Sequence, residues 1–357
     1  KGVIEEVVVT AKRRETVIQD TPIAISLFSS EMIAEGQIEN IDDIQFATPN
    51  VTVLDDSFAV VTIRGVGSSA FGVGVDPSAT MHIDGVYIPR TSGVYSDYFD
   101  VERIEILKGP QGTLYGRNTT AGTFNIVSKL PTDELELSGA MTIGNYEKTR
   151  FDGSISGPVS DTVRARLTVM KNDMDGYQRD KLTDRRYRDE GASALRTAIA
   201  FDLSENAEFI LRGDYLRQRE TGGTFTNDTI GVSGDLYDVA LDGPQDNDID
   251  SGGVSGTFIL GMPNFLGGVE LKALGSWRKT DTELAFDNDS SEFPKRHSFF
   301  PEKSESYQLE TTLASDSGQR LNWLLGAFYF NEDASDAFGF DRMPGTAECE
   351  RAAIPDP

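Results

Sequence analysis

The sequence predicts an α+β domain followed by part of a transmembrane antiparallel β-barrel. Three observations predict it. Composition changes near Pro131, from short mixed segments with glycine turns to long alternating ones. Beyond that point eight segments alternate apolar and polar residues with period two, which sorts the two kinds onto opposite faces of a strand. These segments run about ten residues or more, enough to cross a bilayer at a tilt, whereas sandwich strands are typically about five or six.

In the first half, Ile23–Phe28 reads as a short apolar strand. Ser29 or Ser30 caps a helix over Glu31–Glu35, with Gly36 as its left-handed stop. Asn40 caps a second helix over Ile41–Ala47, which Thr48-Pro49 ends, because a residue before proline is pushed out of the helical region. Strands follow at Val51–Leu54, Val60–Arg64, Met81–Ile83, Val86–Ile88, Glu102–Leu107 and Thr123–Val127. Asp84-Gly85 between two of them is a two-residue hairpin signal.

In the second half, Val163, Ala165, Leu167 and Val169 point one way and Arg164, Arg166, Thr168 and Met170 the other. Leu195, Ile199 and Phe201 oppose Arg196 and Asp202. Phe209, Leu211 and Tyr215 oppose Arg212 and Asp214. Leu271, Ala273 and Trp277 oppose Lys272 and Arg278. Apolar rows at Leu135–Ile143, Phe151–Ile155, Tyr307–Leu313 and Leu321–Tyr329 complete the eight. In a soluble sandwich the apolar face is the core; in an outer-membrane barrel it faces lipid. Tight turns at Asn145 and Ser204–Asn206 alternate with long polar connections at Gln218–Gly268 and after Asp333. Short turns on one side of a membrane and long loops on the other give that asymmetry. Eight strands close a barrel filled by its own side chains, whereas barrels of about 22 strands enclose a further domain. The chain ends in a polar loop, Asp341–Pro357, without a closing strand, so an incomplete barrel is expected.

Composition narrows the function. The net charge of −25 argues against nucleic acid and against docking on anionic lipid. No stretch approaches the ~20 apolar residues of a spanning helix. The chain opens at Lys1-Gly2 with no signal peptide and reads as mature or trimmed. One cysteine, Cys349, and two histidines, His82 and His297, leave no internal disulfide framework, zinc cluster or Ser–His–acid set. Cys349 is a surface residue or half of a loop disulfide whose partner lies beyond Pro357.

Several motifs have bland readings. Val61–Ala70 matches GxGxxA after a strand, with Asp84 near the ribose-binding offset. A soluble nucleotide-binding enzyme would rest on it, but no helical periodicity opens at the third position. Lys108–Thr120 resembles a phosphate loop, yet the Walker spacing fails, and its glycines suit tight turns against another surface. Asp246–Gly252 resembles the start of a calcium loop but lacks the sixth-position glycine, and reads as a solvated acidic loop. Glu5–Ala11 is a β-branched run, either an ordinary first strand or a segment that pairs with a partner's sheet edge.

Together these segments resemble the TonB-dependent receptors. Glu6, Val7, Val8, Val9, Thr10 and Ala11 are similar to the TonB box. Thr21-Pro22-Ile23, Phe46–Val51 and Ile63-Arg64-Gly65 match plug-domain motifs. Val101–Pro110, running through Leu114-Tyr115-Gly116-Arg117 to Ala121-Gly122, resembles the plug signature. The resemblance implies a TonB box and extension over 1–15, a plug over 16–130 and barrel strands over 131–357. It implies no bond chemistry and no cofactor. TonB, with its energising inner-membrane complex, would pair with the TonB box, and the plug would rearrange to admit a ligand. Arg64 and Lys108 would face acidic residues of the barrel wall; Lys108 departs from the more usual arginine, which pairs bidentately. Asp56, Phe58, Phe71 and Tyr95 are the candidate ligand contacts at the plug's outer apices. A ferric siderophore is the expected ligand. A vitamin, carbohydrate or aromatic compound would use the same architecture, and a passive porin is the reading from another class. Outer-membrane lipids and an optional surface lipoprotein complete the expected partners.

Overall fold

The computed structural model describes residues 8–9, 16–17, 23–56, 58–68, 72–90, 98–180, 183–221, 238–239, 245–287, 296–316 and 321–342. Strand β1 (Val8–Val9) pairs with β2 (Thr16–Val17). Then come β3 (Ala24–Ser29), α1 (Ser30–Glu35) and α2 (Ile41–Ala47). The hairpin of β4 (Val51–Asp56) and β5 (Phe58–Ile63) follows, then β6 (Ala79–Ile83), β7 (Val86–Ile88), β8 (Val101–Lys108), α3 (Gly112–Tyr115) and β9 (Gly122–Ser128). Five of these strands form one sheet in the order β3-β8-β9-β6-β7, in which only β6 and β9 run parallel. Phe28, Ile41, Ile44, Ile104, Ile106 and Phe124 meet in the core between helices and sheet.

Local chemistry explains most boundaries. Ser29 Oγ accepts from Met32 N at 3.3 Å and starts α1. Asn40 and Asp43 form a reciprocal capping box on α2. Asp84 and Gly85 have φ of 53° and 87°, the left-handed pair that a tight β6–β7 turn requires. Two expectations change. Gly36 ends α1 in the right-handed region, at φ −79°, and the left-handed residue is Gln37 at φ 49°. Arg64 is not part of β5; at φ 55° it turns the chain out of the strand.

The second half is a ten-stranded sheet. Its members are β10 (Glu136–Ile143), β11 (Thr149–Ser160), β12 (Val163–Met174), β15 (Glu190–Ser204), β16 (Ala207–Glu220), β18 (Asp246–Met262), β19 (Val269–Asp287), β20 (Arg296–Ser315), β21 (Leu324–Asp336) and β22 (Gly339–Arg342). Three short strands, β13 (Gln178–Asp180), β14 (Arg186–Tyr187) and β17 (Asp238–Val239), form a separate small sheet. The ten pair antiparallel in chain order, except that β21 and β22 both lie along β20. Eight strands were expected. The omission is β18, read as an acidic loop and part of one long connection. Its outward row opens Asp248, Asp250, Gly252, which carries no apolar signal; hydrogen bonding to β16 and β19 makes it a strand. β22 likewise lies in the tail expected to be loop.

Antiparallel order also reassigns a turn. Turns at 161–162, 205–206 and 263–268 lie at one end of the sheet. The 144–148 turn lies at the other, where β12 ends and β15 begins and where β16 ends and β18 begins. Asn145 therefore sits at the long-loop end despite its tight turn.

The two faces settle which medium the sheet meets. Leu135, Leu137, Met141, Leu309, Leu325 and Tyr329 are each 58% exposed or more. The opposite rows, including Arg150, Arg166, Thr168, Thr257 and Gln308, are buried. A water-soluble sheet would have this reversed. An apolar band of this extent is far beyond what water tolerates on a monomer, and suits lipid.

Candidate functional site

The buried polar face of the sheet grips the α+β domain, so the interface between them is the candidate site. Three consecutive residues, Tyr98, Phe99 and Asp100, are held by three wall arginines. Arg150 Nη2 donates to the Tyr98 carbonyl at 2.9 Å, and Arg196 Nη1 to the Phe99 carbonyl at 2.7 Å while stacking over the Phe99 ring. Arg166 donates to both Asp100 oxygens at 2.6 to 3.0 Å, with both side chains almost wholly buried. The polarity reverses at Arg90, whose guanidinium forks onto Glu332 at 2.6 and 2.5 Å. Glu39 accepts from Lys148 at 2.8 Å.

The β6–β7 turn makes the third anchor. Asp84 accepts from Ser128 N at 2.9 Å and Ser128 Oγ at 2.6 Å, and lies 3.6 Å from Arg212 Nε. Burial pushes its carboxyl up, but Arg212, Arg196 and the Ser128 hydrogen bonds outweigh this and hold it below the usual range. Gln308 Nε2 donates to the Gly85 carbonyl at 3.0 Å, and Tyr87 N donates to Gln308 Oε1 at 2.8 Å.

Of the residues expected from sequence, Arg64 and Lys108 are brought together. Lys108 Nζ donates to the Pro49 carbonyl at 2.9 Å, and Arg64 N donates to the adjacent Asn50 carbonyl at 2.7 Å. Partial burial and the Arg64 charge both lower the Lys108 pKa. Neither cation has a carboxylate at ion-pair distance among the described residues. Val8 and Val9 pair through their backbones with Val17 and Thr16; Glu6, Val7, Thr10 and Ala11 lie outside the described residues. Asp56 and Phe58 face each other across the tip of the β4–β5 hairpin. Phe71 and Tyr95 lie outside the described residues. Sequence reasoning missed Asp84, Arg90 and Asp100 as wall contacts. The signal available was half of each pair: a charge at an inward position of an alternating strand, as at Arg166 and Arg212.

The signature segment now has a physical role as well. Gly122 lies so close to β8 that an added Cβ would stand 2.2 Å from the Leu107 carbonyl oxygen. Residues 17–123 match the family model described as the TonB-dependent Receptor Plug Domain. The α+β domain is a TonB-dependent receptor plug domain. Among curated proteins the chain is similar to the catecholate siderophore receptor Fiu of Escherichia coli, 29% identical over 61% of this chain and 27% of that protein. It is also similar to the ferripyoverdine receptor of Pseudomonas aeruginosa, 26% identical over 58% of this chain and 25% of that protein. The chain thus spans about a quarter of the length of these relatives. Among solved structures, the ferric yersiniabactin uptake receptor FyuA of Yersinia pestis covers 90% of this chain with a TM-score of 0.77 at 18% identity, and is itself covered over 50%. The α+β domain is therefore a plug domain, and the ten-stranded sheet against which it is seated has a fold consistent with a barrel wall.

Proposed function

We propose that this receptor imports a ferric siderophore across the outer membrane, driven by TonB and the inner-membrane proton-motive force. The observation that carries the proposal is a plug locked by buried ion pairs to a sheet whose other face is apolar. Such a seated plug blocks passive flow and requires work to move. The relatives named for catecholate and pyoverdine uptake support the iron chelate over a vitamin, carbohydrate or aromatic compound. The wall is part of a closed barrel of about 22 strands, the size class that holds a plug. Residues 1–15 carry the TonB box, 16–130 the plug and 131–357 the wall. TonB adds a strand to Glu6–Ala11 by main-chain pairing. Arg64 and Lys108 meet carboxylates of the wall, and Asp56, Phe58, Phe71 and Tyr95 contact the ligand.

Accumulation of radioiron supplied as a catecholate siderophore tests this in iron-starved cells. Val8→Pro removes a backbone donor from the TonB box. It is expected to abolish accumulation while leaving surface binding of the chelate intact. Undiminished accumulation by Val8→Pro would rule out strand-pairing to TonB. Wild-type accumulation no faster than that of cells lacking the receptor would rule out the iron reading.

A further inference from the structure

A cavity of about 810 Å³ lies between plug and wall. Asp84, Arg103 and Asn125 bound it on the plug side, and Thr257, Leu274 and Glu310 on the wall side. It reaches the short-turn end of the sheet at Asn206, Gly268 and Ser315. Beyond it lies a much smaller space of about 20 Å³ between the β6–β7 hairpin and the wall, bounded by Val86, Ser255, Trp277 and Arg278. Asp84 and Arg212 line both spaces, so this ion pair stands where one narrows into the other.

The cause of the gap is legible in β18. Its inward row reads Gly253, Ser255, Thr257, side chains too short to reach the plug. Strands near it do reach the plug: β16, its neighbour on one side, with Arg212, and β20, beyond β19 on the other, with Gln308. The hairpin tip is thus carried on two posts, with open space beneath. The other anchors, Arg166–Asp100 and Arg90–Glu332, line neither space. They can hold the plug while the tip alone lifts.

We propose that cargo passes between the β6–β7 hairpin and wall strands β16–β20, with Asp84 and Arg212 as the gate of that route. This rests on the importer reading. The mixed carboxylates and cations along the cavity suit a hydrophilic chelate, and its volume is within the range that admits a small molecule.

Passive leak tests the route without knowledge of the cargo. The full-length receptor is reconstituted in proteoliposomes, and permeation of a neutral oligosaccharide is followed by swelling. Asp84→Asn keeps the size of the side chain but leaves Arg212 and Arg196 facing a neutral group. It is expected to raise leak by about tenfold, the shift in open population that loss of one close charge pair produces. Arg212→Gln should do the same from the wall side. Adding Thr257→Trp, which fills the cavity, should return either variant to the wild-type level; Thr257→Met, less bulky, should do so in part. Asp76→Asn, which removes an exposed pair with Arg117 away from both spaces, should stay tight. Tight Asp84→Asn and Arg212→Gln variants would overturn the gate. Leak that persists with tryptophan at position 257 in a receptor that still melts as wild type would overturn the route, as would equal leak from Asp76→Asn. Failure of the importer reading would show separately, as absence of energised iron accumulation by the wild type whatever the leak pattern.

Discussion

The Asp100–Arg166 pair allows a quantitative test of how the plug is held. Asp100 sits at φ 56°, so alanine there would add backbone strain to the loss of charge. Asn tolerates that conformation and isolates the electrostatic part. In Asp100→Asn, Arg166 loses a carboxylate that now accepts three contacts of 2.6 to 3.0 Å. It retains Ser154 Oγ at 3.1 Å and Glu136 at 3.7 Å. Breaking a buried pair outright costs about 3–5 kcal/mol. With one amide oxygen still accepting and two secondary partners in reach, about 2–3 kcal/mol is expected. That is about a hundredfold in the docked population. Hydrogen exchange of the β8 amides in detergent micelles reads it directly. Arg166→Leu and the double variant complete a cycle, and a coupling of at least about 1.5 kcal/mol is expected. Additivity within about 0.5 kcal/mol would refute the reasoning, because the pair would then contribute nothing beyond its separate members.

Three further perturbations follow from other parts of the structure. Asp84 has a depressed folded pKa, so its stabilisation is complete above the unfolded value of about 3.9 and is lost as pH falls through the folded value; the plug of Asp84→Asn should lose less protection than wild type in acid titrations below about pH 4. Gly122→Ala places a Cβ 2.2 Å from the Leu107 carbonyl and 2.8 Å from Ile63, so β8 and β9 must part; a loss of at least about 3 kcal/mol should appear in urea unfolding. Leu309→Arg, on the outward face at 61% exposure, should cost about 2–4 kcal/mol in refolding into vesicles if lipid covers that face; a cost near zero would mean that it meets water.

The parts of this molecule that were legible in its sequence are those whose signal is local. Asn40 and Asp43 announce α2 because a cap is satisfied within four residues, and Asp84-Gly85 announces its hairpin because φ > 0 is a property of those two positions. The acid-rich run Asp246–Gly252 at the start of β18 hid a strand, because there the neighbours β16 and β19, not the side chains, supply the free energy. The site follows the same division. Arg166 and Arg212 were legible as inward polar residues, but Asp100 and Asp84, 66 and 128 residues away in the chain, carry no local mark of pairing with them. Arg64 and Lys108 show the converse. Motif and charge mark them plainly, yet within the described residues they meet two backbone carbonyls and each other. Partial burial, and then the like charge of Arg64, lower the affinity of Lys108 for its proton.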